Sequence, residues 1–283
     1  MSAFLGGMRR ENNLKKRNIC LSITVASVIL LLLFEFAWLE CFCINLPGAA
    51  TESIEMIITR GLGGIVFSVL LIYVGFKVLN PLKKPFFKSI VFCIPAFCVV
   101  VNNLHIYTLA AGREKVTASA GLIALFALEC FCVALFEEMA FRGVVLLKLL
   151  ENKRKKTSDI LIAILISSAI FGIIHLVNLL NSSPADVFMQ IGYSFLIGAM
   201  CSVVLLRTHN IWLCVILHAI YNFCGRLVPR LGTGYVWDTP TVIITVIIAL
   251  FTAVYMIYSL VKLPVDSLEK IYEKSEEADD ERY

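Results

Sequence analysis

Apolar residues in this chain gather into long runs, and polar residues are confined to short stretches between them. The runs cover residues 19–39, 61–78, 86–101, 116–150, 160–180, 187–206, 211–228 and 241–263. Most are close to the roughly 20 residues a helix needs to cross the hydrocarbon core of a bilayer. The pattern predicts an all-α, polytopic membrane protein built as an eight-transmembrane-helix bundle. The third run is only just long enough to span, and the fourth is over-long, so its ends are expected to protrude or tilt. The first run has a basic start like a signal peptide, but it is longer than a signal core and no clear cleavage site follows. It is read as a retained helix.

Composition narrows the picture. Of 283 residues, 59% are hydrophobic and 16% charged, whereas soluble domains run near half and a quarter. A separate soluble domain is therefore not expected. The chain divides into a basic N-terminal stretch at 1–18, a transmembrane bundle over 19–263 with its motif-bearing core at 116–228, and an acidic tail at 264–283. Residues 267–272 of the tail read as a short surface helix. Lysines and arginines crowd alternate connections: Lys77, Lys83, Lys84 and Lys88, then Lys148 and Lys153 to Lys156 (with Arg154), then Arg207. The positive-inside rule places those connections and both termini in the cytoplasm. The net charge of +4 is small and no nucleic-acid motif is present, so nucleic acid is not expected as a partner. The ten cysteines lie mostly inside apolar runs and read as reduced packing residues.

Against this background the segment Glu137-Glu138-Met139-Ala140-Phe141-Arg142 stands out. A charge at the centre of a membrane helix costs roughly 2.5–3.5 kcal/mol on insertion scales, so such residues are functional by default. On a helix, Glu138 and Arg142 are four apart with the acid first, the favourable order for an ion pair. Glu137 points about 100° away and has no partner in its own turn. Two other runs supply histidines at matching spacing, Phe171-x-x-x-His175 and His218-x-x-x-Asn222. Gly172 beside Phe171 allows another backbone to come close. His105 and His209 sit at helix ends and read as interfacial.

Glutamate, two histidines and asparagine suit peptide hydrolysis. Burial would raise a carboxylate towards the range useful for proton transfer from water. The second histidine and Asn222 could donate to the developing oxyanion. Glu137, His175 and His218 could equally hold zinc with one open position, although no His-Glu-x-x-His helix exists. Counting helical rise from the cytoplasmic ends, Glu137 and His218 fall at similar depth, while His175 falls nearer the far side.

Taken together and in order, Glu137-Glu138-x-x-x-Arg142, Phe171-x-x-x-His175 and His218-x-x-x-Asn222 resemble the three motifs of the CPBP (Abi) family of intramembrane proteases. That family includes the type II CAAX prenyl endopeptidases, and the resemblance spans about residues 122–223. It implies an eight-helix bundle and an intramembrane endopeptidase. By position, it implies that Glu137 activates water with help from His175, that His218 and Asn222 stabilise the oxyanion, and that Glu138, Arg142 and Phe171 shape the site. It leaves the cofactor open between none and one divalent metal, zinc. The substrate it implies is a hydrophobic or lipidated peptide or protein within reach of membrane lipids, either a CAAX-type tail or a bacterial peptide undergoing maturation. Phe136, Phe141, Phe171, Phe195 and Tyr221 are candidates to line a groove for it. Two other readings stay open: a non-proteolytic scaffold of the same fold, and a proton-coupled transporter using Glu137.

Overall fold

The computed structural model describes residues 48–272 except 82–84, 152–155, 181 and 236, together with six positions between residues 15 and 26. The expected span at 19–39, the basic start and the end of the acidic tail fall almost wholly outside the described residues. Helices dominate: α1 (Gly48–Val74), α2 (Phe86–Phe92), α3 (Ile94–Asn102), α4 (Ile106–Ala110), α5 (Ala120–Glu138), α6 (Leu147–Leu150), α7 (Thr157–Ile173), α8 (Pro184–Thr208), α9 (Ile211–Leu231), α10 (Thr239–Val261) and α11 (Glu269–Tyr272). A π-helical segment, Met139–Leu146, joins α5 to α6, and a 3-10 segment, Ile174–Leu180, extends α7. Two residues of strand on each side, Lys115–Val116 and Gly232–Thr233, pair antiparallel.

Among the described residues six helical rods are long and apolar enough to cross a membrane: Gly48–Val74, Ala120–Leu150, Thr157–Leu180, Pro184–Thr208, Ile211–Leu231 and Thr239–Val261. The chain is an integral membrane protein on that evidence. Local sequence explains where the rods begin. Ser183, Asn210 and Asp238 each cap a helix by accepting from the backbone N–H of Asp186, Trp212 and Thr241. Pro184 and Pro240 add a preset first turn.

The expected count of eight is not reproduced among these residues. The third expected span, 86–101, is broken at Cys93 into α2 and α3. Pro95 has no N–H to return to the preceding turn, and its carbonyl instead accepts from Thr252 Oγ1 of α10 at 3.1 Å. The second expected span, 61–78, begins well before residue 61, because Glu52, Ser53, Glu55 and Arg60 belong to α1 rather than to a loop. The tail helix also differs from expectation. Leu268 and Ile271 are fully buried, and Tyr272 donates to the Leu147 carbonyl at 2.7 Å, so this turn is docked rather than lying on the surface.

The rods pack around α5, which lies between α1 and α9; α7 pairs with α8, and α3 packs on α9 and α10. At Gly172 of α7, a Cβ would stand 2.9 Å from the Ile191 carbonyl of α8. Only a glycine allows that approach. By contrast α10 is peripheral, with Val246, Ile247, Leu250 and Val254 among its exposed apolar residues.

Candidate active site

A cavity of about 620 Å³ lies between α1, α5, α7, α8 and α9, and Glu137, Phe171, His175, His218 and Asn222 all line it. Phe136, Phe141 and Tyr221 are also in its wall; Phe195 is not among the lining residues. The depth expected for His175 does not keep it from the site. The chain changes from α to 3-10 geometry at Ile174, and His175 reaches the same cavity as the other motif residues.

The two adjacent acids have different surroundings. Glu138 is fully buried, 3.1 Å from Arg142 Nη1 and 2.7 Å from His218 Nδ1. Arg142 is itself buried, with its guanidinium 4.3 Å from the centre of the Phe171 ring. Room for it comes from Gly198 of α8, where a Cβ would stand 2.9 Å from Arg142 Nη2. The π-helical segment begins directly after Glu138; such insertions recur at functional sites. Glu137 is 17% exposed, and its Oε2 lies 3.5 Å from Nε2 of the same His218. One imidazole thus stands between two carboxylates, its Nδ1 committed to the sealed acid and its Nε2 turned to the one on the cavity wall.

His175 is placed differently. Its Nδ1 lies 2.9 Å from the Phe171 carbonyl, which can only accept, so Nδ1 carries a hydrogen and Nε2 is left to face the cavity, an acceptor in the neutral ring. Phe171 meets both histidines edge-on, at 5.2 Å from His175 and 5.8 Å from His218. This makes Phe171 the wedge that spaces them.

A second charged cluster, not anticipated from the sequence, occupies the outer part of the cavity. Glu129 of α5 is fully buried and accepts from Arg230 Nη1 at 2.6 Å and from Ser53 Oγ at 2.8 Å. Arg230 also reaches Glu52 at 3.2 Å. Arg226 stands 3.7 Å from Glu129. Glu129 was detectable by the same criterion as Glu137, as an acid inside an apolar run. Its partner was not, because the apolar run ends at 228 while α9 continues to Leu231.

Zinc bonds of about 2.0–2.2 Å in a tetrahedron require ligand atoms only about 3.5 Å apart. Among the described residues, the group whose ligand atoms lie within 4.8 Å of one another is Glu138, Cys201 and Cys214. Glu137, His175 and His218 do not form such a group, and as placed they do not fit a zinc centre. The two thiols of the other group are engaged with backbone: Cys214 Sγ lies 3.2 Å from the Cys201 carbonyl, and Cys201 Sγ lies 4.0 Å from that of Cys214.

Residues 119–224 match the family described as type II CAAX prenyl endopeptidase Rce1-like. The matched segment contains all three motifs, which lie on three rods, and the rod Pro184–Thr208 between the second and third of them. No curated protein and no solved structure matches the chain.

Proposed function

We propose that the chain is an intramembrane endopeptidase that hydrolyses a peptide bond of a membrane-associated or lipidated peptide or protein, using water activated by glutamate and histidine. The observation that carries this reading is the unequal treatment of the two acids. Glu138 is sealed against Arg142 and His218, while Glu137 faces the cavity beside that same histidine. A fixed acid–histidine pair backing a second, accessible acid is an arrangement for moving protons at a chosen place.

In this reading, water between Glu137 and His175 loses a proton to Glu137 as its oxygen attacks the carbonyl carbon. The free Nε2 of His175 is a second acceptor that orients the water. The carbonyl oxygen becomes an oxyanion, met by the amide of Asn222 and, when the His218 ring carries hydrogen on both nitrogens, by its Nε2–H. The proton then passes to the leaving nitrogen, the C–N bond breaks, and a carboxylic acid and an amine are released. Phe136, Phe141 and Tyr221 in the wall suit an apolar side chain or a lipid chain on the substrate. The match of residues 119–224 to a family described as CAAX prenyl endopeptidases supports the same class of reaction.

The outer cavity residues Glu52, Asp186 and Arg230 belong to the helix ends remote from Lys77, Lys148 and Arg207. With the more basic ends in the cytoplasm, the cavity opens on the non-cytoplasmic face.

The test is turnover of fluorogenic apolar peptides, prenylated and unprenylated, by detergent-purified protein. Glu137→Gln should lower kcat by about 10²–10⁴, the usual contribution of a general base, with the unfolding temperature unchanged. Undiminished turnover in that variant would overturn the assignment of Glu137, and no turnover by the unmodified protein on any peptide would remove the hydrolytic reading.

A further inference from the structure

The outer half of α9 is weakly built for a helix. Gly225 contributes no side chain, and Pro229 has no N–H to return to the Gly225 carbonyl four residues earlier. Asn222, an oxyanion donor in the reading above, stands just before that stretch, and its neighbour Tyr221 lines the cavity with it. A side chain from another element grips this turn. Asn103, the residue that closes α3, donates from Nδ2 to the Tyr221 carbonyl at 3.0 Å. Its carboxamide sits over Gly225, where a Cβ would collide with Asn103 Nδ2 and stand 3.0 Å from its Cγ. The gap left by the glycine is thus filled by the asparagine.

A carbonyl oxygen has two acceptor positions, so Asn103 adds a tie without breaking the helical ladder. Asn103 is not among the cavity-lining residues and lies outside the matched segment 119–224. It acts on the turn that carries Asn222, not on the substrate. Its neighbour offers a contrast. Asn102 turns the other way and donates from Nδ2 to Thr245 Oγ1 of α10 at 2.9 Å, and among the described residues none that lines the cavity comes from α10. Two adjacent amides therefore make ties of the same kind, one to a helix of the site and one to a helix away from it.

We propose that Asn103 is a positioning residue whose bond to the Tyr221 carbonyl, seated over Gly225, holds the amide of Asn222 in place against the oxyanion. The inference rests on the hydrolytic reading given above. Removing an oxyanion donor outright costs about 10²–10³ in kcat. Freeing the turn that holds one should cost part of that, about tenfold, because small misplacements of a reacting group are felt in the rate.

The test measures kcat, KM and the unfolding temperature with a fluorogenic apolar peptide, using full-length protein in detergent. Asn103→Ala should lower kcat about tenfold with KM unchanged. Asn103→Asp keeps the size but, as a carboxylate, has no donor, and should match it. Gly225→Ala should give the same loss, because its methyl expels the carboxamide. Added to Asn103→Ala it should cost nothing more, because the atoms it would meet are gone. Asn102→Ala removes the comparable tie to α10 and should leave kcat unchanged. Should Asn103→Ala not fold, Asn103→Asp and Gly225→Ala carry the same comparison. An equal fall of kcat in Asn102→Ala, or a rise of KM alongside the fall in Asn103→Ala, would mean general loosening of the bundle and overturn the proposal. So would additive losses in the double variant. Turnover by the unmodified protein with a kcat insensitive to Asn103 would overturn this proposal alone, whereas no turnover on any peptide would remove the hydrolytic reading and the proposal with it.

Discussion

At the end of the bundle where the cavity opens, the ties between elements include ion pairs: Arg230 to Glu129 and Glu52, and Arg113 to Asp238 at 2.6 Å. At the opposite end, neutral donors make several of them. Trp212 Nε1 donates to the Leu79 carbonyl at 2.7 Å, Asn210 Nδ2 to Pro81 at 2.9 Å, and Tyr272 to Leu147 at 2.7 Å. Neutral side chain-to-carbonyl bonds are thus prominent at the end richer in lysine, beside Arg207, whose Nη1 donates to the Lys262 carbonyl at 3.1 Å. Ionic ties respond to pH and salt and can be exchanged for a charged ligand, whereas side chain-to-carbonyl bonds cannot. Asp238, outside the spans, shows the direction of the pH response. Hydrogen bonding to Thr241 first, and Arg113 after it, hold its carboxyl below the usual range. Its tie is therefore intact above the ordinary carboxylate pKa and is lost as the pH falls through the lowered value.

The comparison can be broken in three ways, in falling order of effect. The largest is all-or-none. A cysteine placed at Glu52 should react with a membrane-impermeant maleimide in intact cells, and one at Lys88 only after permeabilisation, each read over the parent background. The reverse pattern would put the cavity on the cytoplasmic face. Next, Glu129→Gln leaves Arg230 without its buried counter-charge. Losing one partner of a buried pair costs about 3–5 kcal/mol, so unfolding in detergent should shift well down, and an unchanged midpoint would show that the Arg230 lock is ornamental to the fold. The smallest is Tyr272→Phe at the neutral end, which removes one hydrogen bond worth about 0.5–1.5 kcal/mol. That loss should be the same at low and high salt, and salt dependence there would blur the distinction between the ends.

The helical architecture was legible in the sequence because lipid demands long apolar runs, and six of the rods correspond to such runs. The break at Cys93 was not read, although Pro95 was its signal. The polar first turns of α1 were missed because Glu52 and Ser53 look like a loop until Arg230 and Glu129, distant in sequence, are brought beside them. At the site, spacing alone sufficed for Glu138 and Arg142, which lie in consecutive turns of one rod. The placing of His218 between Glu137 and Glu138 was beyond sequence, since it depends on how α9 lies against α5. The same holds for His175, whose Nδ1 is tied to a carbonyl four residues earlier.

The peripheral place of α10 has a consequence for how this protein meets different bilayers. Only 17% of its most apolar window is buried, and among the described residues none that lines the cavity comes from it. Tilt is the cheapest response of a helix to a bilayer that is too thin or too thick, and α10 is the rod freest to take it. Lipid thickness then becomes a quantity that the position of α10 follows, while the spacing of Glu137 and His218, set by α5 and α9, stays constant across membranes.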